Sequence, residues 1–388
     1  MGMKYVAEAL APFGTSIFAE MTRLAIEHEA VNLSQGFPDF DGPDFVKEAA
    51  IEAIRAGENQ YARTTGIPPL NRIIARNWER ATGMSIDPDT QVTVTSGCTE
   101  AIAATLLGLL NPGDEIVIFE PYYDSYPALA ARVGAVARYV TLRPDKSGRF
   151  IFREDELRAA FTEKTRAILV NTPHNPTGTV FTREELALIA DLCQAHDVVA
   201  ITDEVYEHLV FEGRHHRLLT FPGMAERTIT LSSLGKTFSL TGWKVGWAVA
   251  SPELSRAVRS AHQFTTFCTA TPMQYGAAAA LDAPDSYYEQ FLSDYRQKRD
   301  YLCNVLQELG FRVFVPQGTY FILADHTSFG FADDVAFCRH LAQDTGVAAI
   351  PPSAFYAHAE RGRDFVRFAF CKTEETLRHA AERLQKLR

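Results

Sequence analysis

Residues 230–247, Thr-Leu-Ser-Ser-Leu-Gly-Lys-Thr-Phe-Ser-Leu-Thr-Gly-Trp-Lys-Val-Gly-Trp, decide how the rest of this 388-residue chain is read. The apolar run 228–231 has the composition of a short strand, and two serines, a leucine and a glycine separate it from Lys236. An amine at the end of such a strand is partly desolvated, which draws its pKa down and suits it to attach a carbonyl compound. A second cation, Lys244, follows eight residues later, and it and Ser233 are placed to hold an anionic group beside the amine.

Working outward, 91–95, 115–119, 166–170, 198–202 and 245–250 read as further short strands rich in Val and Ile, and helix-like segments separate them. Residues 99–110 read as a helix. So do 183–196, which open on the capping box Thr182-Arg-Glu-Glu185 and carry Leu186, Ile189 and Cys193 at helical spacing. Strands alternating with helices imply an α/β fold with a mainly parallel central sheet covered on both faces. Ligands of such sheets bind beyond the carboxyl ends of the strands. Those ends deliver Gly97-Cys98-Thr99 opening a helix, Tyr123, Asn175 in an Asn-Pro-Thr-Gly turn, Asp203 with Tyr206, and finally Lys236.

The lysine segment and this ordered inventory resemble the fold-type I aminotransferases, which use pyridoxal 5′-phosphate (PLP); the resemblance runs from about Phe13 to the C-terminus. It implies a catalytic Lys236 that holds PLP as a Schiff base and moves the substrate α-proton. It further implies a phosphate cup of Gly97, Cys98, Thr99, Ser233 and Lys244, with Tyr123 stacked on the ring. Asp203 would pair with the ring nitrogen, and Asn175 and Tyr206 would bond the ring oxygen. Outside the sheet, the resemblance places Arg367, in Phe365-Val-Arg367-Phe-Ala-Phe, as the clamp for the substrate α-carboxylate. Gly36, in Ser34-Gln-Gly36-Phe-Pro-Asp39, would let backbone approach the ligand. Tyr61, in Asn59-Gln-Tyr61-Ala-Arg-Thr-Thr-Gly66, would reach the phosphate of a neighbouring subunit, making a homodimer with shared active sites.

The large PLP-binding domain is expected over 43–283. Residues 1–42 and 284–388 would form a smaller α+β domain, with strands near 311–315, 321–324 and 365–369 and helices over 284–309, 333–345 and from 373. The formal net charge of −10, with no run of Lys or Arg, argues against nucleic-acid or anionic-membrane partners. The six cysteines are scattered without a C-x-x-C pair, so no zinc or redox motif is indicated. No G-x-G-x-x-G, Walker loop, G-x-S-x-G or H-E-x-x-H occurs, and no metal is expected. Without a signal-like start or a membrane-length apolar run, a cytoplasmic location is the simplest expectation.

Within the family the nearest resemblance is to the methionine aminotransferase and kynurenine–glutamine transaminase branch. Ser-Ile-Phe18, Asn32 to Phe40, Thr172-Pro-His-Asn175 and Thr241-Gly-Trp-Lys-Val-Gly246 carry it. Phe18 and, from the partner chain, Phe267 would line the substrate side-chain pocket, which favours apolar, sulfur-containing or aromatic amino acids. The stretch 265–268, Thr-Thr-Phe-Cys, lacks the second arginine of dicarboxylate-binding members. The same scaffold also hosts cysteine-S-conjugate β-lyases and kynurenine–oxoglutarate transaminases, which stay open as alternatives.

Overall fold

In the computed structural model, which describes residues 5–14 and 16–388, fourteen strands occur in chain order. The first seven are β1 (Val31–Asn32), β2 (Val92–Thr95), β3 (Glu115–Glu120), β4 (Val136–Thr141), β5 (Arg143–Pro144), β6 (Phe150–Ile151) and β7 (Thr165–Asn171). They are followed by β8 (Val199–Asp203), β9 (Thr228–Ser233), β10 (Gly246–Ala250), β11 (Arg312–Phe314), β12 (Phe321–Asp325), β13 (Val347–Ala348) and β14 (Phe365–Ala369).

Seven strands form one sheet in the order β2-β10-β9-β8-β7-β3-β4. Every pairing is parallel except those of β10, which runs antiparallel to both β2 and β9. This is the α/β architecture with a mostly parallel sheet that the sequence implies. The reversed strand has a consequence for the site. Its amino end lies where its neighbours' carboxyl ends lie, so Lys244 arrives at the same edge as Lys236. The strands β2, β3 and β10 are buried along their whole length, as a sheet covered on both faces requires. The sequence reading has no strand at β4. As the edge strand, β4 alternates exposed with half-buried residues over 136–139, which dilutes its apolar signal.

The helix Gly97–Leu109 begins two residues earlier than the periodicity suggests and packs beneath helix Pro252–Thr265. Gly97 has φ +79°, and a Cβ there would stand 3.2 Å from Lys244 Cε. A Cβ on Gly246 would meet Gly97 C at 2.6 Å, so both glycines are needed for β10 to pass this closely beside the turn. The capping box at Thr182 forms as expected, with Glu185 N donating to Thr182 Oγ1 and Thr182 N to Glu185 Oε2.

A second, antiparallel sheet has the order β11-β12-β14, and β1 pairs in parallel with β13, bringing the two ends of the chain together. Helices Asp285–Glu308 and Glu374–Leu384 pack against each other beside these strands. The helix expected over 333–345 is α-helical only over Asp334–His340 and continues as a π-helical turn, Leu341–Thr345. The core around these elements also takes in Val205, Tyr206, Leu209 and Phe211 from the segment after β8, and Phe314 and Leu323 of the small sheet share a second core with Val117, Phe119, Ile168 and Val170 of the large one.

Candidate active site

The carboxyl edge of the large sheet opens into a cavity of about 250 Å³. Of the sequence-derived candidates, Gly36, Gly97, Cys98, Thr99, Tyr123, Asn175, Asp203, Tyr206, Ser233, Lys236 and Lys244 all line it. These residues come from segments far apart in the chain. They converge because each lies at or just past the carboxyl end of a strand, and those ends share one edge of the sheet, apart from Lys244, which precedes the reversed strand, and Gly36, which a loop contributes.

Lys236 lies in the short helix Leu234–Thr237 that directly follows β9. Its Nζ is 5.8 Å from the ring centres of both Tyr206 and Tyr320. Desolvation lowers its pKa, while the Cys371, Asp203 and Cys98 groups nearby act in the opposite direction and are outweighed. Asp203, at the end of β8, is 5% exposed. Its Oδ2 accepts from Tyr126 Oη at 2.7 Å and its Oδ1 from Cys98 Sγ at 3.6 Å and Val205 N at 3.3 Å. These bonds fix the carboxylate, yet burial still pushes its pKa up. An acid held in place but short of a cation fits a protonated ring nitrogen.

At the opposite side, residues 97–99 form the first turn of their helix, whose N–H groups have no intrahelical acceptors. With Ser233 and Lys244 on the same wall, the donor set suits a phosphate. Lys244 sits in a left-handed conformation, φ +54°, which turns its side chain back over Gly97. The residues present therefore fit PLP at both ends, a cation-seeking acid for the ring and a donor cup for the phosphate.

Arg367, on β14, is 1% exposed. Its Nη2 donates to Ser34 O at 2.8 Å and its Nη1 reaches Asn175 Oδ1 at 3.4 Å, while Nε has no partner. The rings of Phe321, Phe355 and Phe18 lie 4.2, 5.1 and 5.3 Å from its Cζ. Burial lowers its pKa to about 10, and among the described residues it forms no ion pair. A buried guanidinium with spare donors in an aromatic box is built to receive a carboxylate. Gly36 serves packing as well as access. Its carbonyl accepts from Tyr320 Oη at 2.5 Å, and a Cβ there would strike the Phe321 ring at 2.6 Å.

Phe18 belongs with this arginine, whereas Tyr61 and Phe267 do not enter the cavity of their own chain. Tyr61 is 83% exposed and meets Phe267 edge-on at 5.2 Å. Sequence reasoning missed Tyr126, the hydroxyl that orients Asp203. Its signal was the spacing Tyr123-x-x-Tyr126 at a helix start, which places both rings on one face. It also missed Asn171, whose Nδ2 donates to Asp203 O at 2.9 Å and whose Oδ1 accepts from Asn175 N at 2.7 Å. Both bonds are local to the fold and carry no motif. Among the described residues no group of His, Cys, Asp and Glu is arranged to hold a metal ion, and no helix is long and apolar enough to cross a membrane.

Comparison with known proteins agrees with this geometry. Residues 28–384 match the family described as aminotransferase class I and II. The chain is 47% identical over 387 residues to a probable N-succinyldiaminopimelate aminotransferase of Mycobacterium tuberculosis, covering 97% of both. It is 42% identical over 381 residues to the methionine aminotransferase of Escherichia coli, again covering 97% of both. A solved structure of N-succinyldiaminopimelate aminotransferase from Mycobacterium tuberculosis superposes with a TM-score of 0.96 at 47% identity, covering 99% of this chain and 100% of that one.

Proposed function

Because the chain belongs to the class I and II aminotransferases, we propose that it moves the amino group of an apolar, sulfur-containing or aromatic L-amino acid, methionine fitting best, to a 2-oxo acid, with Lys236 as the catalytic amine. One observation carries this reading. Lys236 lines the cavity, Arg367 stands behind its wall with Nη1 3.4 Å from Asn175 Oδ1, and among the described residues neither of these desolvated cations forms an ion pair. Buried charges are normally paired; two left free in one place call for an anionic, amine-bearing ligand.

Bound here, PLP would supply an aldehyde for covalent attachment and a ring that withdraws electrons from the substrate α-carbon. Lys236 Nζ would be the group that holds that aldehyde, and its amine would serve as the general base for the proton of the substrate Cα. Its lowered pKa raises the fraction of free amine available. Asp203, held by Tyr126 and Val205 N, would keep the ring nitrogen protonated. Asn175 and Tyr206 would hold the ring oxygen, and Tyr123 would cover the ring face. Arg367 orients the α-carboxylate so that the Cα–H points at Lys236, and Phe18, Phe321 and Phe355 exclude water around it. In this reading the homodimer completes each site with Tyr61 and Phe267 of the other subunit, and the large and small domains divide near residues 43 and 283.

The apolar preference rests on the cavity wall, where the cations are Lys236 and Lys244 and neither is placed for a side-chain carboxylate. Measured kcat/KM for methionine should exceed that for aspartate by about a hundredfold; the reverse ranking ends the substrate assignment. Lys236→Ala should lower turnover at least about 10⁴-fold and remove the visible absorbance of bound coenzyme; retention of both ends the mechanism.

A second reading of the substrate has one feature in its favour. An open groove of about 590 Å³ lined by Phe18, Thr22, Arg23, Glu27 and Gln35 lies beside Phe18, whose ring faces Arg367. It has room for a long side chain, and Arg23, which is paired with Glu27 at 2.6 Å, would exchange that partner for a distal carboxylate such as an N-succinylated diamino diacid presents. Turnover of that donor at a kcat/KM above that of methionine would select this reading.

A further inference from the structure

His262 is 1% exposed and lies in the last turn of helix Pro252–Thr265, outside the cavity. Both of its ring nitrogens face acceptors. Nδ1 is 3.0 and 3.2 Å from the two oxygens of Glu100, and Nε2 is 2.8 Å from Thr64 O. A carbonyl oxygen can only accept, so the ring donates to Thr64, and the bond to Glu100 needs a proton shared between imidazole and carboxylate. A side chain at 262 that cannot reach both partners, or one at 100 without a polar end, breaks a buried contact.

What the pair joins gives it a role. Glu100 is on the helix that begins with the phosphate cup, and its Oε2 also accepts from Ser96 N at 3.0 Å, directly before Gly97. Thr64 is on the exposed loop that carries Tyr61. Gln60 O of that loop is held by Thr271 Oγ1 at 2.6 Å and Thr65 O by Val94 N at 3.1 Å, and the turn between them rests on His262. The backbone oxygen of His262 also accepts from Thr266 N and Phe267 N, each at 3.0 Å, and Phe267 stands at φ +72°. One residue thus seats the Tyr61 loop, the Phe267 turn and the cup helix against one another. Tyr61 and Phe267 in turn meet edge-on at the surface.

We propose that His262 is a positioning residue that couples the Tyr61–Phe267 surface to the phosphate cup, so that subunit contact and coenzyme retention depend on the same Glu100–His262–Thr64 relay. The inference rests on the shared-site dimer of the proposed function. Its premise is tested first and separately by PLP uptake and dimer mass of the unmodified chain and by Tyr61→Phe, which should weaken PLP retention. The relay is then tested with His262→Gln, which keeps a donor but loses the second one, and with Glu100→Ala, which removes the partner of both His262 Nδ1 and Ser96 N.

PLP dissociation constants are read by absorbance titration of each dimer, with circular dichroism to confirm folding. Each variant should bind PLP about tenfold more weakly or worse. Combined with Tyr61→Phe, His262→Gln should add less than its own single effect, because both act through one loop. Dissociation constants within about twofold of the unmodified dimer for both relay variants, or effects that multiply fully in the double variant, overturn the proposal.

Discussion

Arg217, beneath the segment that follows β8, and Arg367, on β14, are both withdrawn from water, and their surroundings differ in kind. Arg217 is gripped by Glu204, which is fully buried, and by Glu207. His215 Nε2 adds a bond of 2.8 Å to Glu204, and Ser232 Oγ one of 2.9 Å to Glu207. Burial works against the charge of Arg217, yet its two carboxylates outweigh this and raise its pKa. Arg367 has a carbonyl, an amide oxygen and three aromatic faces around it, an unpartnered Nε, and a pKa lowered to about 10 by burial. A charge paired inside the chain holds structure together; one left unpaired keeps its attraction for something that arrives. Lys236 belongs with Arg367 in this respect.

That contrast can be broken in three ways. The largest effect is expected at the paired site. Arg217→Met leaves Glu204 and Glu207 without their main counter-charge and should cost about 3–5 kcal/mol of stability, read as a lowered urea midpoint with an unchanged slope. A near-neutral result would mean that the knot is not structural. Next comes the unpaired site, where Arg367→Lys should keep stability within about 1 kcal/mol because no carboxylate is orphaned. Its kcat/KM for amino donors should fall about a hundredfold through loss of the bidentate fork. A stability loss matching that of Arg217→Met would erase the distinction.

The smallest effect is in acid. Burial alone would raise the pKa of Glu207, but the charges of Arg217, His208 and His215 hold it at about 2 against an ordinary 4.5. A depressed carboxylate contributes stability that is complete above its unfolded pKa and is lost as pH falls through its folded value. Unfolding free energy should therefore decline between about pH 4.5 and 2, and Glu207→Gln should flatten that decline. An unchanged slope in the variant places the linkage at another carboxylate.

Much of this was legible in the chain because the signals are local. Short β-branched runs separated by capped helices announce a parallel sheet, and the residues just past each run announce the cavity wall. The edge strand β4 escaped because half of its residues face solvent. Tyr126 and Asn171 escaped because they act by bonds to Asp203, which lies far along the chain. His215 and His216 sit side by side in a polar loop and look alike in sequence. The fold takes His215 onto Glu204, in the Arg217 knot.

The succession of the buried strands with their helices and the inventory of groups that line the cavity were determined by the sequence alone, since each depends on residues at or next to a strand end. The tertiary structure alone decided which charges stay unpaired. Arg217 and Arg367 are the same side chain, and although the stretch around Arg367 marks it by resemblance, only packing distant segments together gives one its carboxylates and denies them to the other. The reversal of β10, which brings Lys244 to the edge where Lys236 stands, is likewise a property of strand pairing rather than of any stretch read by itself.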